Sequence, residues 1–266
     1  MKNIAVIGGG FGGIAAAIRL RARGNKVTVF ERLGKLGGRA QVFERGGYIH
    51  DAGPTVITAP NLFYELFSLF GENLEDFLEF KPLDPWYRFH FHDQTQFDYG
   101  PDREKMLDQI EKISPEDVSG YLSMLKESEA IFKLGYEKLA GHPFIRLTTM
   151  IRYAPAIIRM RGYKSVYSFV SKHLKHPNLR QAFSIQPLLV GGNPFTTSSI
   201  YALIHALEQK WGIFFCMGGT GKLVIELEKL MIRNGIEINY DSDVSSFSTS
   251  GKLITRVNFA NGESKA

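Results

Sequence analysis

Cysteine is nearly missing from this sequence, which holds only Cys216 among its 266 residues. A single cysteine excludes an intrachain disulfide, and such low usage fits a reducing compartment. Charged residues make up 22% of the chain and hydrophobic residues 44%, values that argue against wholesale disorder. We therefore expect a folded, disulfide-free cytoplasmic protein of one large or two modest domains.

Long hydrophobic runs without interruption are also missing. The uncharged run 4–18 follows Lys2 as in a secretory signal, but five glycines interrupt it and its 15 residues are few for a membrane span. The longer uncharged stretch 181–207 contains Gly191-Gly192-Asn193-Pro194, an irregular backbone that lipid would leave unsatisfied. We expect neither a cleaved signal nor a transmembrane helix.

Acidic residues are absent between Glu137 and Glu208, an interval that carries nine basic residues. Because the whole chain has a net charge of only +5, this basic block holds all of the excess positive charge. A block of this kind favours an anionic partner, either an acidic membrane surface or nucleic acid. No recognisable nucleic-acid-binding module accompanies it, so the membrane surface is the expected partner.

The N-terminus has the pattern of a βαβ unit. A β-branched run at Asn3–Ile7 predicts a strand, helical spacing predicts a helix over Gly12–Arg23, and Lys26–Phe30 predicts a second strand. Between the first strand and the helix stands a glycine-rich turn whose members are Gly8, Gly10, Gly12 and Gly13.

That turn has the Gly-x-Gly-x-x-Gly spacing of a dinucleotide site. Gly8 permits the tight turn, Gly10 lets a pyrophosphate approach the backbone, and Gly13 lets the helix pack against the strand. Glu31 ends the second strand, where a carboxylate can accept hydrogen bonds from ribose hydroxyls. A βαβ turn without a ligand is the alternative reading of the glycines alone.

NAD and FAD share this fingerprint, and the residues after Glu31 favour a flavin. Arg32 follows directly, and a second glycine pair with an arginine, Gly37-Gly38-Arg39, provides another close backbone approach to a long dinucleotide. The arrangement resembles the amine oxidase and phytoene desaturase group of flavoproteins. That resemblance implies FAD as the cofactor.

Further segments are similar to bacterial-type phytoene desaturases, which are carotenoid desaturases of that superfamily. These segments, which extend the resemblance over nearly the whole chain, are Asp51–Thr58, Arg180–Ser184, Leu188–Phe195, Ser198–Tyr201 and Gly218–Gly221. In the family the first of them lies near the flavin, which implies cofactor contacts for Gly53, Pro54, Thr55 and Val56. The resemblance also implies backbone contacts from Val244 to the adenine end.

The same resemblance implies a reaction in carotenoid biosynthesis. FAD would take a hydride from a carbon–carbon single bond of an apolar precursor such as phytoene, the adjacent carbon would lose a proton, and quinone or oxygen would reoxidise the flavin. The enzyme would then be peripheral to the membrane in which its substrate dissolves. No residue pattern identifies a catalytic base. His90-x-His92 lacks a third ligand at convincing spacing, so no metal is expected.

The predicted fold class is α/β. A Rossmann-like FAD-binding domain over residues 1–59 and 212–266 combines the βαβ start, a parallel sheet and an antiparallel pair at 244–247 and 253–259. A mainly helical insertion at 60–211 interrupts it and is expected to meet substrate and membrane. Within the insertion, Phe144–Met160 mixes aliphatic residues with arginines, as an interfacial helix does.

Two departures from the family pattern leave alternatives open. Cys216 and Met217 stand where the family commonly has proline and a basic residue, and family members are close to twice as long as this chain. We therefore expect an N-terminal half that lacks the C-terminal part of its FAD-binding domain. The alternatives are a related flavoprotein, such as a carotenoid isomerase or oxygenase or an amine oxidase, or a non-catalytic membrane-binding fragment.

Overall fold

The structure is a computed structural model that describes residues 1–138, 153–155, 158 and 160–265. The chain divides into two compact units: unit 1 comprises Met1–Lys81 and Phe214–Ala266, and unit 2 comprises Pro82–Ile213. The interfacial helix predicted at 144–160 falls mostly outside the described residues.

Short strands alternate with helices in the N-terminal stretch. Its elements are β1 (Asn3–Ile7), α1 (Phe11–Ala22), β2 (Lys26–Phe30), β3 (Val42–Arg45), β4 (Tyr48–Asp51), β5 (Val56–Ile57), α2 (Asn61–Ser68) and β6 (Phe80–Pro82). Gly24, whose φ of 79° suits glycine, follows the end of α1 and lets the chain turn into β2.

One hairpin and then helices make up the middle stretch. Its elements are β7 (Tyr87–His90), β8 (Gln96–Tyr99), α3 (Arg103–Ile113), α4 (Asp117–Phe132), α5 (Val166–His173), α6 (Pro177–Ala182) and α7 (Leu203–Trp211), with 3₁₀ turns at Gln186–Val190 and Ser199–Ala202.

Strands return in the C-terminal stretch. Its elements are β9 (Phe214–Cys216), α8 (Gly219–Arg233), β10 (Glu237–Asn239), β11 (Val244–Ser250), β12 (Leu253–Phe259) and β13 (Ser264–Lys265). The α/β class is confirmed, together with the βαβ start and the antiparallel pair.

Unit 1 is built on a parallel sheet of order β1-β2-β10. Asn3 pairs with Lys26 and Ile7 with Phe30, while Ile238 pairs with Val29 on the other side of β2. A second, antiparallel sheet has the order β11-β12-β13, and β5 and β6 flank β9 in a third. The sheet positions the glycine turn, because that turn leaves β1 at its carboxyl end.

Helices α1 and α8 supply the core of unit 1. Ile14 and Ile18 of α1 are fully buried, as are Leu223 and Leu227 of α8, so each helix presents one apolar stripe to the interior. Burying four such side chains stabilises the unit by roughly 1.5–3 kcal/mol each. This packing holds the N-terminus of α1 in a fixed position.

Unit 2 packs its helices around aromatic residues of the β7–β8 hairpin. Phe97 and Tyr99 of β8 are buried beside Phe183, with ring centroids 5.6 and 5.4 Å apart. Tyr121 of α4 reaches the same ring at 5.1 Å. The β7–β8 hairpin is therefore part of the core of this unit.

The sequence Ser114-Pro115-Glu116-Asp117 is typical of a helix that begins with a serine cap, but the beginning of α4 differs from this pattern. Glu116 occupies the N-cap position and makes no capping hydrogen bond with its side chain. The Asp117 carboxylate instead accepts the backbone N–H groups of Lys175 at 2.7 Å and His176 at 2.8 Å. Asp117, the acidic residue of the local capping pattern, therefore makes a tertiary contact instead of a capping hydrogen bond.

A buried polar cluster lies between the hairpin and α7. The Glu208 carboxylate accepts the Tyr99 hydroxyl at 3.0 Å, while His205 receives the Gln186 amide at Nδ1, 3.0 Å away, and donates from Nε2 to the Phe183 carbonyl at 3.0 Å. Burial raises the pKa of Glu208 to about 7 and lowers the pKa of His205 to about 4. Both side chains are therefore held in their neutral forms at mildly acidic pH.

None of the helices in the described ranges combines the length and the hydropathy that a bilayer span requires.

Candidate dinucleotide-binding site

The glycine turn after β1 requires glycine at both of its ends. Gly8 has a φ of 92°, in the left-handed region, and its N–H donates to the Phe30 carbonyl at 2.8 Å. A methyl group on Gly13 would lie 1.9 Å from the carbonyl oxygen of Gly8. The first and third glycines of the fingerprint thus bring α1 against the turn as predicted from their spacing.

The N-terminus of α1 has an open face at Gly12. Gly10 is its N-cap and offers no capping side chain, and the first turn contains no acidic residue. A Cβ atom placed on Gly12 would meet nothing within 4 Å. Uncapped backbone N–H groups at the positive end of a helix are suited to an anion such as a pyrophosphate.

Glu31 lies beside this turn and is only 5% exposed. Its Oε2 accepts the Gly9 N–H at 2.6 Å and its Oε1 accepts the Leu33 N–H at 3.0 Å. A carboxylate has about four acceptor positions, so two remain for ribose hydroxyls. The backbone therefore orients the carboxylate without saturating it.

The second glycine pair packs directly on the first glycine motif. The Gly37 N–H donates to the Gly9 carbonyl at 2.8 Å, and Gly10 and Gly37 form an isolated parallel bridge. A Cβ atom on Gly38 would come within 3.1 Å of the Gly10 Cα. Two motifs that are separate in sequence thus form one continuous backbone surface.

Arg32 and Arg39 border that surface, and both have exposed side chains. The Arg39 backbone contacts the next segment, since a Cβ atom on Gly53 would lie 2.3 Å from the Arg39 carbonyl oxygen. The Ala52 N–H also donates to the Gln41 carbonyl at 2.9 Å. Gly53 is therefore required for close approach of the chain at this point.

The segment from Gly53 to Val56 crosses between β4 and β5. Pro54 and Thr55 are exposed, while Val56 is half-buried and pairs with Phe215 of β9. The Thr220 hydroxyl donates to the Pro54 carbonyl, which attaches the segment to the beginning of α8.

Val244 begins β11 close to Glu31 in space. The Ser242 N–H, two residues before Val244, donates to the Glu31 carbonyl at 2.8 Å. Val244 itself is half-buried and pairs with Phe259. The segment that is implied to meet the adenine end of the cofactor therefore lies next to Glu31, the residue that is implied to bind the ribose.

The predicted site residues all belong to unit 1, where the segments that carry them lie against one another. The geometry fits a long dinucleotide, because it combines an uncapped helix N-terminus, a partly unsatisfied carboxylate and several bare backbone surfaces. Glu31 would hold the ribose, and the turn from Gly8 to Gly13 would hold the pyrophosphate.

Three residues with a role in this geometry escaped prediction as site residues. They are Gly9, whose amide orients Glu31, and Asp51 and Thr220, which join the segment after β4 to α8. The Gly-Gly-Thr-Gly motif marked the right region, but a sequence motif does not identify the partner of its threonine.

The departure at Cys216 and Met217 leaves the backbone turn intact. Met217 donates its N–H to the Glu79 carbonyl at 2.9 Å, and Cys216 is 1% exposed. Burial raises the pKa of the Cys216 thiol. The cysteine is therefore a small apolar core residue at neutral pH.

Comparison with known proteins identifies the family of the chain. The sequence profile described as flavin containing amine oxidoreductase matches residues 11–266. The chain belongs to the flavin-containing amine oxidoreductases. Membership in this family supports FAD as the cofactor.

Within this family, the chain is most informatively compared with curated phytoene desaturases. The chain is 46% identical over 262 residues to a lycopene-forming phytoene desaturase of Pantoea ananas, covering 98% of this chain and 53% of that protein. It is 34% identical over 258 residues to a neurosporene-forming phytoene desaturase of Cereibacter sphaeroides, covering 97% of this chain and 50% of that protein. The chain spans about half the length of these relatives. The resemblance to bacterial phytoene desaturases is confirmed.

Solved structures agree on the fold. A protein from Pyrococcus furiosus has a TM-score of 0.65 at 17% identity, covering 100% of this chain and 57% of its own. Putrescine oxidase bound to putrescine has a TM-score of 0.62 at 14% identity, covering 99% of this chain and 56% of its own. At such identities the likeness concerns the fold alone.

Proposed function

We propose that unit 1 binds FAD and that the chain takes part in FAD-dependent desaturation of a carotenoid precursor such as phytoene. One observation carries the proposal: the segments that begin at Gly8, Gly37, Gly53 and Gly218 contact one another in that order, and the first of them lies beside Glu31. A set of bare backbone surfaces next to an oriented carboxylate suits a long dinucleotide.

Each predicted residue receives a role in this proposal. The pyrophosphate would meet the turn formed by Gly8, Gly10, Gly12 and Gly13, and the ribose would meet Glu31. Arg32, Gly37, Gly38 and Arg39 would line the middle of the cofactor, the segment Gly53–Val56 would face the flavin ring, and Val244 would contact the adenine end. The exposed arginines are free to approach phosphate oxygens.

The reaction proposed is the desaturation for which these relatives are named. Bound FAD would supply the acceptor for a hydride from one carbon of a saturated bond, and a proton would leave the neighbouring carbon. The residues of this chain would orient the cofactor and exclude water. The electron acceptor would be quinone or oxygen, and no residue is assigned as catalytic base.

The helical insertion is proposed to serve the apolar substrate and the membrane. Unit 2 exposes a 3₁₀ turn with three consecutive aliphatic residues, Leu188 at 60%, Leu189 at 42% and Val190 at 58% exposure, and Phe195 follows at 64%. With three residues per turn these side chains point in three directions, so one neighbouring element cannot cover them all.

Charge near this turn supports an anionic membrane surface as the partner. Arg161 and Lys164 are exposed, and their carbonyls accept the Ser199 hydroxyl at 3.0 Å and the Ser199 N–H at 2.7 Å. Basic residues near an anionic bilayer contribute about 1 kcal/mol each. The proposed location is therefore the cytoplasmic face of a membrane, with peripheral attachment.

Vesicle sedimentation tests the attachment. The chain is expected to bind vesicles with a third of anionic phosphatidylglycerol more strongly than neutral ones, and Leu188→Ser combined with Phe195→Ser should weaken binding. Ile225→Ser is the control, because Ile225 is 50% exposed in α8 of unit 1. Equal binding by the double variant and the control would contradict this part of the proposal.

Cofactor titration and product analysis test the rest. The purified chain should quench FAD fluorescence with a single saturable transition, and absence of any binding would overturn the proposal for unit 1. For the reaction, the chain is expressed in phytoene-accumulating cells, alone and joined to the second half of the Pantoea ananas relative. Coloured polyenes from the joined protein would support desaturation. Isomerised or oxygenated carotenoids would favour a related flavoprotein.

A further inference from the structure

The beginning of α8 is attached to the loop after β4 by two side chains. The Thr220 hydroxyl, on a residue that is 2% exposed, donates to the Pro54 carbonyl. The Asp51 Oδ2 accepts the Thr220 N–H at 3.5 Å, and a Cβ atom on Gly219 would lie 3.2 Å from the Asp51 Oδ1. Residues 166 positions apart in sequence are thereby joined at one point.

Apart from the bond between the Ala52 N–H and the Gln41 carbonyl, few hydrogen bonds hold the loop between β4 and β5. Residues 52–55 form neither helix nor strand, and β5 itself contains only two residues. Pro54 has no backbone N–H, so its carbonyl is its only backbone hydrogen-bonding group. Within the described residues, the bond from Thr220 is the hydrogen bond that holds this carbonyl.

We propose that Thr220 and Asp51 are positioning residues that hold Gly53–Val56 in the conformation that receives the flavin. The inference rests on the proposed binding of FAD by unit 1. A loop that is ordered before binding loses less conformational entropy on binding, so its anchors contribute to cofactor affinity without touching the cofactor. Thr220 is the stronger anchor, because the Asp51 contact at 3.5 Å is at the long limit of a hydrogen bond.

Hydrogen–deuterium exchange on the chain without flavin tests the anchoring directly. Thr220→Val keeps the shape of the side chain and removes the hydroxyl, so exchange of the amides at 52–57 should rise about tenfold. Thr220→Ser keeps the hydroxyl and should restore protection. Asp51→Asn should give a smaller rise than Thr220→Val. Unchanged protection in Thr220→Val would overturn the anchoring.

Thr249→Val is the matched control, because Thr249 is exposed on β11 of the same unit. It makes no side-chain hydrogen bond among the described residues. Exchange at 52–57 should match the unmodified chain in this variant. A rise in both threonine variants would mean a general loosening of unit 1 and would overturn a specific role for Thr220.

Flavin titration then separates positioning from structure. Thr220→Val should weaken FAD binding about five- to tenfold and alter the shape of the bound flavin's visible absorption bands, whereas Thr220→Ser should bind within about twofold of the unmodified chain. Faster exchange with unchanged affinity and spectrum would refute the positioning role. Failure of the unmodified chain to bind FAD would instead refute the proposed function, a result that the exchange data do not depend on.

Discussion

The carboxylate of Glu31 accepts the backbone N–H of Gly9 at 2.6 Å, so the acidic end of β2 is fixed against the turn that follows β1. Its other oxygen accepts the Leu33 N–H at 3.0 Å. The residue proposed to bind the ribose therefore also holds the turn proposed to bind the pyrophosphate. Structure and binding are coupled at this side chain.

Replacing Glu31 with glutamine should damage both roles. In either amide orientation an NH₂ group faces a backbone N–H, so one donor stays unpaired. We expect the free energy of unfolding to fall by about 1–3 kcal/mol and FAD affinity to fall at least about tenfold. Urea unfolding and flavin titration measure the two effects. Glu44→Gln, at an exposed position of β3, is the control, and equal behaviour of the two variants would contradict the role of Glu31.

Gly12 and Gly13 are adjacent in α1 but face different surroundings. Alanine at Gly13 would press its methyl group within 1.9 Å of the Gly8 carbonyl oxygen, whereas alanine at Gly12 would meet nothing within 4 Å. We expect Gly13→Ala to lower the free energy of unfolding by at least about 2 kcal/mol. Gly12→Ala should raise it by up to about 1 kcal/mol, because alanine favours a helix over glycine.

The variants Gly12→Ala and Gly13→Ala also distinguish a structural role of the glycine turn from a role in cofactor binding. If the pyrophosphate approaches the open face of the turn, Gly12→Ala should reduce FAD affinity although it stabilises the chain. Denaturant unfolding and flavin fluorescence on the same preparations provide both numbers. A stable Gly12→Ala variant with undiminished FAD affinity would mean that the cofactor does not approach this face.

Local patterns were sufficient to predict several elements. The strands at Asn3–Ile7 and Lys26–Phe30 have the predicted bounds, and the predicted helix at Gly12–Arg23 is shifted by one residue to Phe11–Ala22. Each is a short segment with a glycine within two residues of one end, so neighbouring residues determine its conformation. The assignment of individual cofactor contacts stays a prediction.

Contacts between distant segments were not predictable in the same way. Nothing in the sequence indicates that Gly37 would donate to the Gly9 carbonyl or that Thr220 would donate to the Pro54 carbonyl. The sequence around His205 and Glu208 likewise gives no sign of their buried partners. Such pairs are determined by tertiary packing and cannot be inferred from the identity of either residue alone.

The thiol of Cys216 should be protected in the folded chain. It is 1% exposed, and burial raises its pKa, so little thiolate forms at neutral pH. We expect Ellman's reagent at pH 7.5 to react at least about tenfold more slowly with the native chain than with the chain in 8 M urea, where one thiol per chain should appear. Rapid native reaction would mean that the turn between β9 and α8 opens readily.

Two buried groups in unit 2 should make opposite contributions to the pH dependence of stability. Burial raises the pKa of Glu208 from its ordinary value to about 7, so its contribution is present at low pH and is lost as the pH rises to 7. Burial lowers the pKa of His205 to about 4, so its contribution is present above pH 6.5 and is lost as the pH falls to 4. In the unmodified chain the two trends largely cancel between pH 5 and 6.5.

Single variants should reveal each trend. Glu208→Gln leaves His205 as the main titrating group of the cluster, so the free energy of unfolding should rise by roughly 2 kcal/mol between pH 5 and pH 7.5. His205→Gln leaves Glu208 and should give a fall of similar size, since the Tyr99 and Tyr87 hydroxyls, at 3.0 and 3.4 Å, remain its hydrogen-bond donors. Urea unfolding at the two pH values measures both slopes.

Glu111→Gln, at an exposed position of α3, serves as the control and should keep the pH profile of the unmodified chain. Opposite slopes in the two cluster variants, against an unchanged profile in Glu111→Gln, would support neutral forms of both groups in the folded chain at mildly acidic pH. Parallel slopes would mean that water reaches the cluster and that its burial does not govern the protonation of Glu208 and His205.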